Sequence, residues 1–104
     1  MKIKFDNRQL ENFYYSGKSK RYRIQRNIFK RFSMRVQQLE ASASTHDLMI
    51  NTGLRFKKLE GTKKNIYSVR VNDTYRLEFQ IQWEDEQHTK GTIIIMELSK
   101  HYGD

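Results

Sequence analysis

Two arginines, Arg70 and Arg76, flank a three-residue break in the stretch IYSVRVNDTYRLEFQIQW, Ile66 to Trp83. Apolar and polar residues alternate on both sides of that break, and a strand sends successive side chains to opposite faces. Tyr67, Val69 and Val71 share one face of a first strand; Tyr75, Leu77, Phe79, Ile81 and Trp83 share one face of a second. Residues opposed in an antiparallel ladder point to the same side. Keeping both apolar sets on the core side therefore requires an odd loop, the simplest being Asn72-Asp73-Thr74. Val71 then lies opposite Tyr75, and Arg70 opposite Arg76. Directly opposed like charges destabilise a hairpin by an amount within the roughly 0.2–1 kcal/mol range of cross-strand pairs. Two readings follow. The pair holds an anion, or Glu78, on the same face, neutralises one of the two and the arrangement is structural. In either reading, alanine at 70 or 76 is expected to relieve repulsion and leave the fold intact.

Other side chains with chemical potential are less organised. His46 and His88 have no ligand-spaced partner, so no metal site is expected. With no cysteine in the chain, disulfides and thiolate metal sites are excluded. Glu84-Asp85-Glu86 read as a solvated turn. Lys18, Lys20, Arg21 and Arg23 form a basic loop that contacts nucleic acid or simply solvates the surface.

The net charge of +8 is unevenly placed. Residues 1–35 carry eleven Lys/Arg against two acids, residues 55–76 seven against two, and residues 77–104 two against six. Such a distribution suits a polyanion, nucleic acid above all, or an acidic protein segment. The Arg26/Lys30/Arg31 face of the long helix described next is one candidate for the latter.

The positioning elements are readable from period and punctuation. At 104 residues the chain fits one domain, residues 1–104. Mean hydropathy is −0.90, yet 12% aromatics argue against disorder. No segment is long enough to span a bilayer, and MKIKFDNRQL has no signal-peptide apolar core, so a cytoplasmic location is expected. Lys2–Phe5 reads as a short strand. In DNRQLENFYYSG, capping residues at Asp6 or Asn7, helical spacing of Leu10, Phe13 and Tyr14, and a stop at Gly17 predict a first helix. Ile24, Ile28, Phe29, Phe32, Val36 and Leu39 form the apolar stripe of a second helix of about five turns. Ser44 or Thr45 caps a short helical turn through Met49. Strands follow near Arg55–Leu59, Ile66–Val71, Tyr75–Trp83 and Thr92–Leu98. The order predicts an α+β fold, with an N-terminal strand and two helices packed on an antiparallel β-meander.

The segments YSGKSKRY, LRFKKLEG, YSVRVNDTYRLEF and IIIMELSKHYGD resemble HigB toxins, the plasmid-maintenance killer-protein branch of the RelE/ParE toxin superfamily. The likeness runs from Lys2 to Tyr102, and YSVRVNDTYRLEF is its most specific element. It implies the toxin of a type II toxin–antitoxin pair that cleaves mRNA in the A site of a translating ribosome. It also implies neutralisation by a helix-turn-helix antitoxin of the HigA type, with operator DNA reached only through that antitoxin. No cofactor is implied, since the chemistry is metal-free attack of a 2′-hydroxyl on the adjacent phosphorus.

Carried over by the resemblance, Arg70 and Arg76 are the arginines that contact the scissile phosphate. Arginine suits that role because its planar fork donates two hydrogen bonds to phosphate oxygens. Lys57 takes the place of a catalytic polar residue, as base or electrostatic helper, while Glu60 stands where some members carry lysine. His101 and Tyr102 are the acid–base and stacking candidates; many relatives end in Asp-Tyr-His, and here the imidazole and the aromatic ring are exchanged. Lys58, Lys63 and Lys64, in and after the strand that carries Lys57, are the expected RNA contacts. Two other functions remain open: a ParE-like toxin that poisons gyrase, and a non-catalytic RNA- or protein-binding module.

Overall fold

The computed structural model describes residues 1–61 and 65–100. Strand β1 (Ile3–Phe5) leads into helix α1 (Arg8–Ser16). Asn7 joins the two: its side-chain oxygen accepts from the Leu10 N–H at 3.0 Å, and its amide donates to the Met96 carbonyl at 3.1 Å. A side-chain acceptor at this position satisfies a helix N–H that has no carbonyl partner. Gly17, at φ 73°, ends α1 in left-handed backbone and donates to the Phe13 carbonyl at 2.7 Å.

Helix α2 (Arg26–Ala41) begins later than its apolar stripe suggests. Ile24 lies outside the helix, in the preceding loop, although it packs against the core. The short turn expected near Met49 is helix α3 (Thr45–Ile50), with Ser44 at its N-cap. A 3-10 turn, Thr52–Leu54, precedes β2 (Lys57–Lys58), β3 (Tyr67–Arg70), β4 (Tyr75–Trp83) and β5 (Gly91–Lys100). The strand expected over Arg55–Leu59 is thus only two residues long. Arg55 takes φ 47°, a left-handed conformation incompatible with an extended strand.

The sheet order is β1-β5-β4-β3-β2. Strands β2 to β5 form the expected antiparallel meander, whereas β1 adds to its far edge parallel to β5, so the sheet is mixed. On β5, Ile95 faces Phe79 and Glu97 faces Glu78, leaving Met96 as the extra residue of a bulge. A bulge shifts which residues face inward. Ile93 and Ile95 are buried on one side of it and Leu98 on the other, so the core stays apolar while the numbering parity changes.

One cluster joins Leu10 and Phe13 of α1, Phe32, Val36 and Leu39 of α2, and Leu48 of α3 to Val69, Val71, Leu77, Phe79, Ile81, Ile93, Ile95 and Leu98. Phe13 packs against the rings of Phe29 (5.0 Å between centroids), Tyr22 (5.5 Å) and Phe32 (5.7 Å). The aromatics of the helical stripe are core, as their spacing implies. No helix among the described residues is long and apolar enough to cross a membrane.

Candidate active site

The hairpin that carries the two arginines closes as the alternation requires. Arg70 lies directly opposite Arg76, Val69 opposite Leu77 and Tyr67 opposite Phe79. Beyond the ladder, the Val71 N–H donates to the Tyr75 carbonyl at 3.0 Å, leaving Asn72-Asp73-Thr74 as the turn. Asn72 holds the turn from within, its side-chain oxygen accepting from Thr74 N–H at 3.0 Å and Tyr75 N–H at 2.7 Å. Asparagine favours turns because its side chain can imitate a backbone acceptor. The loop between the arginines is therefore cross-braced.

Each arginine has its own carboxylate, and the two pairings differ. Arg76 donates from Nε to Glu78 Oε2 at 3.3 Å, and Ser99 Oγ donates to the same oxygen at 2.6 Å. Ser99 is also the residue opposite Arg76 on β5. The Glu78 side chain is only 7% exposed and that of Arg76 21%. The Arg76 side chain makes no other hydrogen bond among the described residues, so its two Nη groups remain available as a fork. Arg70 instead pairs through Nη2 with Asp73 at the tip of the turn, whose side chain is 97% exposed. The hydrogen bond from Arg70 and then its charge hold the Asp73 carboxyl below its ordinary range, with smaller contributions from Arg55 and Arg31.

A further guanidinium sits behind the pair. Arg35 of α2 donates from Nε to the backbone carbonyl of Arg70 at 2.7 Å, from Nη1 to Gln38 at 2.8 Å, and from Nη2 to the Gly53 carbonyl at 3.4 Å. Burial, then the charges of Arg70 and Arg31, pull its pKa below the ordinary arginine value. One side chain thus fixes the end of β3 against α2 and the 3-10 turn.

Of the remaining candidates, Lys57 pairs with Ser68, which in turn faces Glu78, so it stands one row from the arginines across the sheet. Lys58 pairs with Tyr67 and shares that residue's face, so the structure does not bring it to the arginine pair. Lys63, Lys64, His101 and Tyr102 lie outside the described residues. Lys100, which ends β5, faces Tyr75. In the basic loop, Arg21 is tied to Glu97 at 2.6 Å, while Lys18, Lys20 and Arg23 are exposed. His88 stacks on Trp83 at 4.5 Å, at the end of β4 remote from Arg76. Among the described residues no group of three or more His, Cys, Asp or Glu is placed to hold a metal ion.

Sequence reasoning weighed Glu78 only as a neutralising charge and missed Ser99, Asp73, Arg35 and Arg55 as neighbours of the pair. Asp73 carried a signal, its place in the turn. Ser99 carried none, because its pairing with Arg76 depends on the bulge.

The model of RelE-like toxins of the type II toxin–antitoxin system HigB matches residues 3–92. The chain belongs to the HigB-like toxin family. Toxin HigB-1 of Vibrio cholerae serotype O1 is 39% identical over 85 residues, covering 82% of this chain and 86% of the relative. The fold is shared more widely among solved structures. A YoeB/ParE toxin from Agrobacterium tumefaciens superposes with a TM-score of 0.58 at 10% identity, covering 98% of this chain and all 100% of that one. A YoeB-YefM complex from Staphylococcus aureus gives 0.53 at 20% identity, covering 98% of each chain. Within the HigB-like span lie Lys57, Arg70 and Arg76; Ser99, His101 and Tyr102 fall beyond its end.

Proposed function

We propose that this HigB-like toxin is an endoribonuclease that cleaves mRNA on the translating ribosome by metal-free transesterification. A helix-turn-helix antitoxin of the HigA type holds it inactive and supplies the only route to operator DNA. The observation that carries the reading is the opposed pair Arg70–Arg76, on the face of the hairpin away from the core and cross-braced by Asn72.

In the reaction, the O2′–P bond forms as the P–O5′ bond breaks in line. The products carry a 2′,3′-cyclic phosphate and a 5′-hydroxyl. Charge builds on the phosphoryl oxygens in the transition state, and prearranged donors aimed at that charge are the largest single source of rate. Arg76 is suited to this because Glu78 and Ser99 hold its Nε edge and leave the Nη fork for the phosphate. Arg70 joins it once phosphate displaces the solvent-exposed Asp73 carboxylate. The proton on O2′ passes to a base and the leaving O5′ takes one from an acid. Lys57, His101 and Tyr102 are assigned to these transfers by family likeness. Lys63 and Lys64 are assigned to backbone contacts on the same ground.

Induction without antitoxin, followed by growth measurement and primer extension on abundant messages, tests the reading. Growth arrest with new 5′-hydroxyl ends inside codons is expected. DNA damage without new RNA ends would replace it with gyrase poisoning, and unimpaired growth during verified expression would leave only a binding module.

A further inference from the structure

Arg70 belongs to two surfaces. One is the cross-strand pair with Arg76. The other is a groove of about 360 Å³ between α2 and the β3–β4 turn, to which Asn27 and Arg31 contribute from the helix, and Arg70, Asn72 and Asp73 from the hairpin. Arg55, just after the 3-10 turn, and Arg31 both act electrostatically on Asp73, and Arg35 lies half-buried behind Arg70. Three guanidiniums, those of Arg70, Arg55 and Arg31, thus act on one carboxylate, with a fourth behind Arg70. Asp73 is bonded to Arg70 alone among them, and the side chains of Arg31 and Arg55 have no hydrogen bond or ion pair among the described residues.

Such a surplus is unfavourable in isolation and is relieved by a second anion. The anion already present is a poor occupant. Its side chain is 97% exposed, and an exposed ion pair contributes little net stability, so exchange is cheap. Asn72 holds the turn's backbone independently of the Asp73 carboxylate, so the exchange leaves the hairpin in place.

Resting on the RNA reading above, the geometry points to a second phosphate-binding position: the groove takes the phosphodiester next to the one held by Arg70 and Arg76, and Asp73 stands in for it in the free protein. Continuity through Arg70 favours one nucleic-acid strand running across both positions over an unrelated acidic protein segment. Arg31, which lines the groove, is its binding residue, Arg55 adds charge from beside it, and Asp73 is an internal competitor that lowers affinity until RNA arrives.

The test is fluorescence anisotropy of the full chain with a labelled, 2′-O-methylated RNA hexamer, which binds without being cut, across a salt series. Asp73→Asn should tighten binding about two- to fivefold at low salt, the range that freeing an exposed ion pair returns. Arg31→Ala and Arg55→Ala should each weaken it and lower the slope of log affinity against log salt by about 0.7, the value for neutralising one phosphate fewer on a single strand. Unchanged affinity and slope in Arg31→Ala, or no tightening in Asp73→Asn, overturns the proposal, as does a wild type that does not bind at low salt. Loss of antitoxin binding in Arg31→Ala with RNA binding intact also overturns it and gives the groove to an acidic protein. Ribosome cleavage by Arg70→Ala and Arg76→Ala, measured in parallel, separates this result from the catalytic reading. Full cleavage in both would remove the arginine pair as the catalytic site, and no cleavage by the wild type would remove the nuclease assignment, while in either case the groove's anion binding stood on its own data.

Discussion

Arg70 and Arg76 are matched in type and register and unmatched in surroundings, and the difference decides what each substitution does. On the proposed mechanism, alanine at either position removes a donor to the developing phosphoryl charge, which typically costs about 10²–10³ in rate. Single-turnover cleavage on programmed ribosomes should fall accordingly, with lysine rescuing only part because it keeps the charge and loses the fork. Stability should separate the two. Arg70→Ala leaves an exposed Asp73 and should melt like the parent. Arg76→Ala removes a cation bonded to Glu78, whose side chain is 7% exposed, and losing one member of a buried ion pair is destabilising. Against the expectation that both alanines leave the fold intact, Arg76→Ala should therefore melt below the parent. Melting of Arg76→Ala beside Arg76→Ala/Glu78→Gln checks it: the double variant should recover stability and not activity, and equal melting points would show that the Arg76–Glu78 pair adds nothing to stability. A second residue-scale prediction concerns Tyr22, whose hydroxyl pairs with Glu97 and whose pKa is pushed up to about 12, first by burial and then by that hydrogen bond. A raised folded-state value stabilises fully below the unfolded pKa of about 10 and loses that contribution as pH rises through 12. Denaturant unfolding between pH 9 and 12 should therefore show wild type losing stability relative to Tyr22→Phe; parallel curves would remove Tyr22 as the cause.

Among the elements, the hairpin was legible from sequence because period-two alternation on both sides of Asn72-Asp73-Thr74 admits one simple register. The turn chemistry adds a prediction. Asn72→Ala removes two hydrogen bonds accepted from backbone N–H groups, at a typical net cost of about 1 kcal/mol each. It should also let the arginines drift, so cleavage should fall by more than the melting shift implies; a proportionate fall would make the brace purely structural. Elsewhere the pattern carried less. Lys2–Phe5 reads as a strand, but three residues say nothing about which neighbour they join, and the parallel pairing with β5 follows from the helices between them. Arg55–Leu59 alternates well enough to suggest a longer strand, and the left-handed Arg55 cuts it short. Ser99 meets Arg76 only because Met96 bulges out of register. The groove at Asp73 depends on where α2 crosses the turn, a tertiary fact with no local trace.

Across the whole molecule, charge is divided between surfaces with different duties. Arg26 and Lys30, with Lys18, line a second groove between α1 and α2, away from the arginine hairpin. Exposed charges at such a site should steer an acidic antitoxin segment, with salt-sensitive association. Arg26→Glu/Lys30→Glu should slow antitoxin association and flatten its salt dependence while leaving RNA binding unchanged; indifference to both would exclude electrostatic pairing there. The Asp73 side chain, meanwhile, sits where the backbone is secured by another residue, and this gives the toxin a heritable dial. On the groove proposal, a lineage can make the protein more or less poisonous by changing positions 31, 55 or 73, one step at a time, without putting the fold at risk. Positions 78 and 99 offer no such gradation. A toxicity selection over all single variants should accordingly return a continuum of phenotypes from the first group and an all-or-none split from the second. Adjustment to a new antitoxin or a new host would then begin at the rim of the turn.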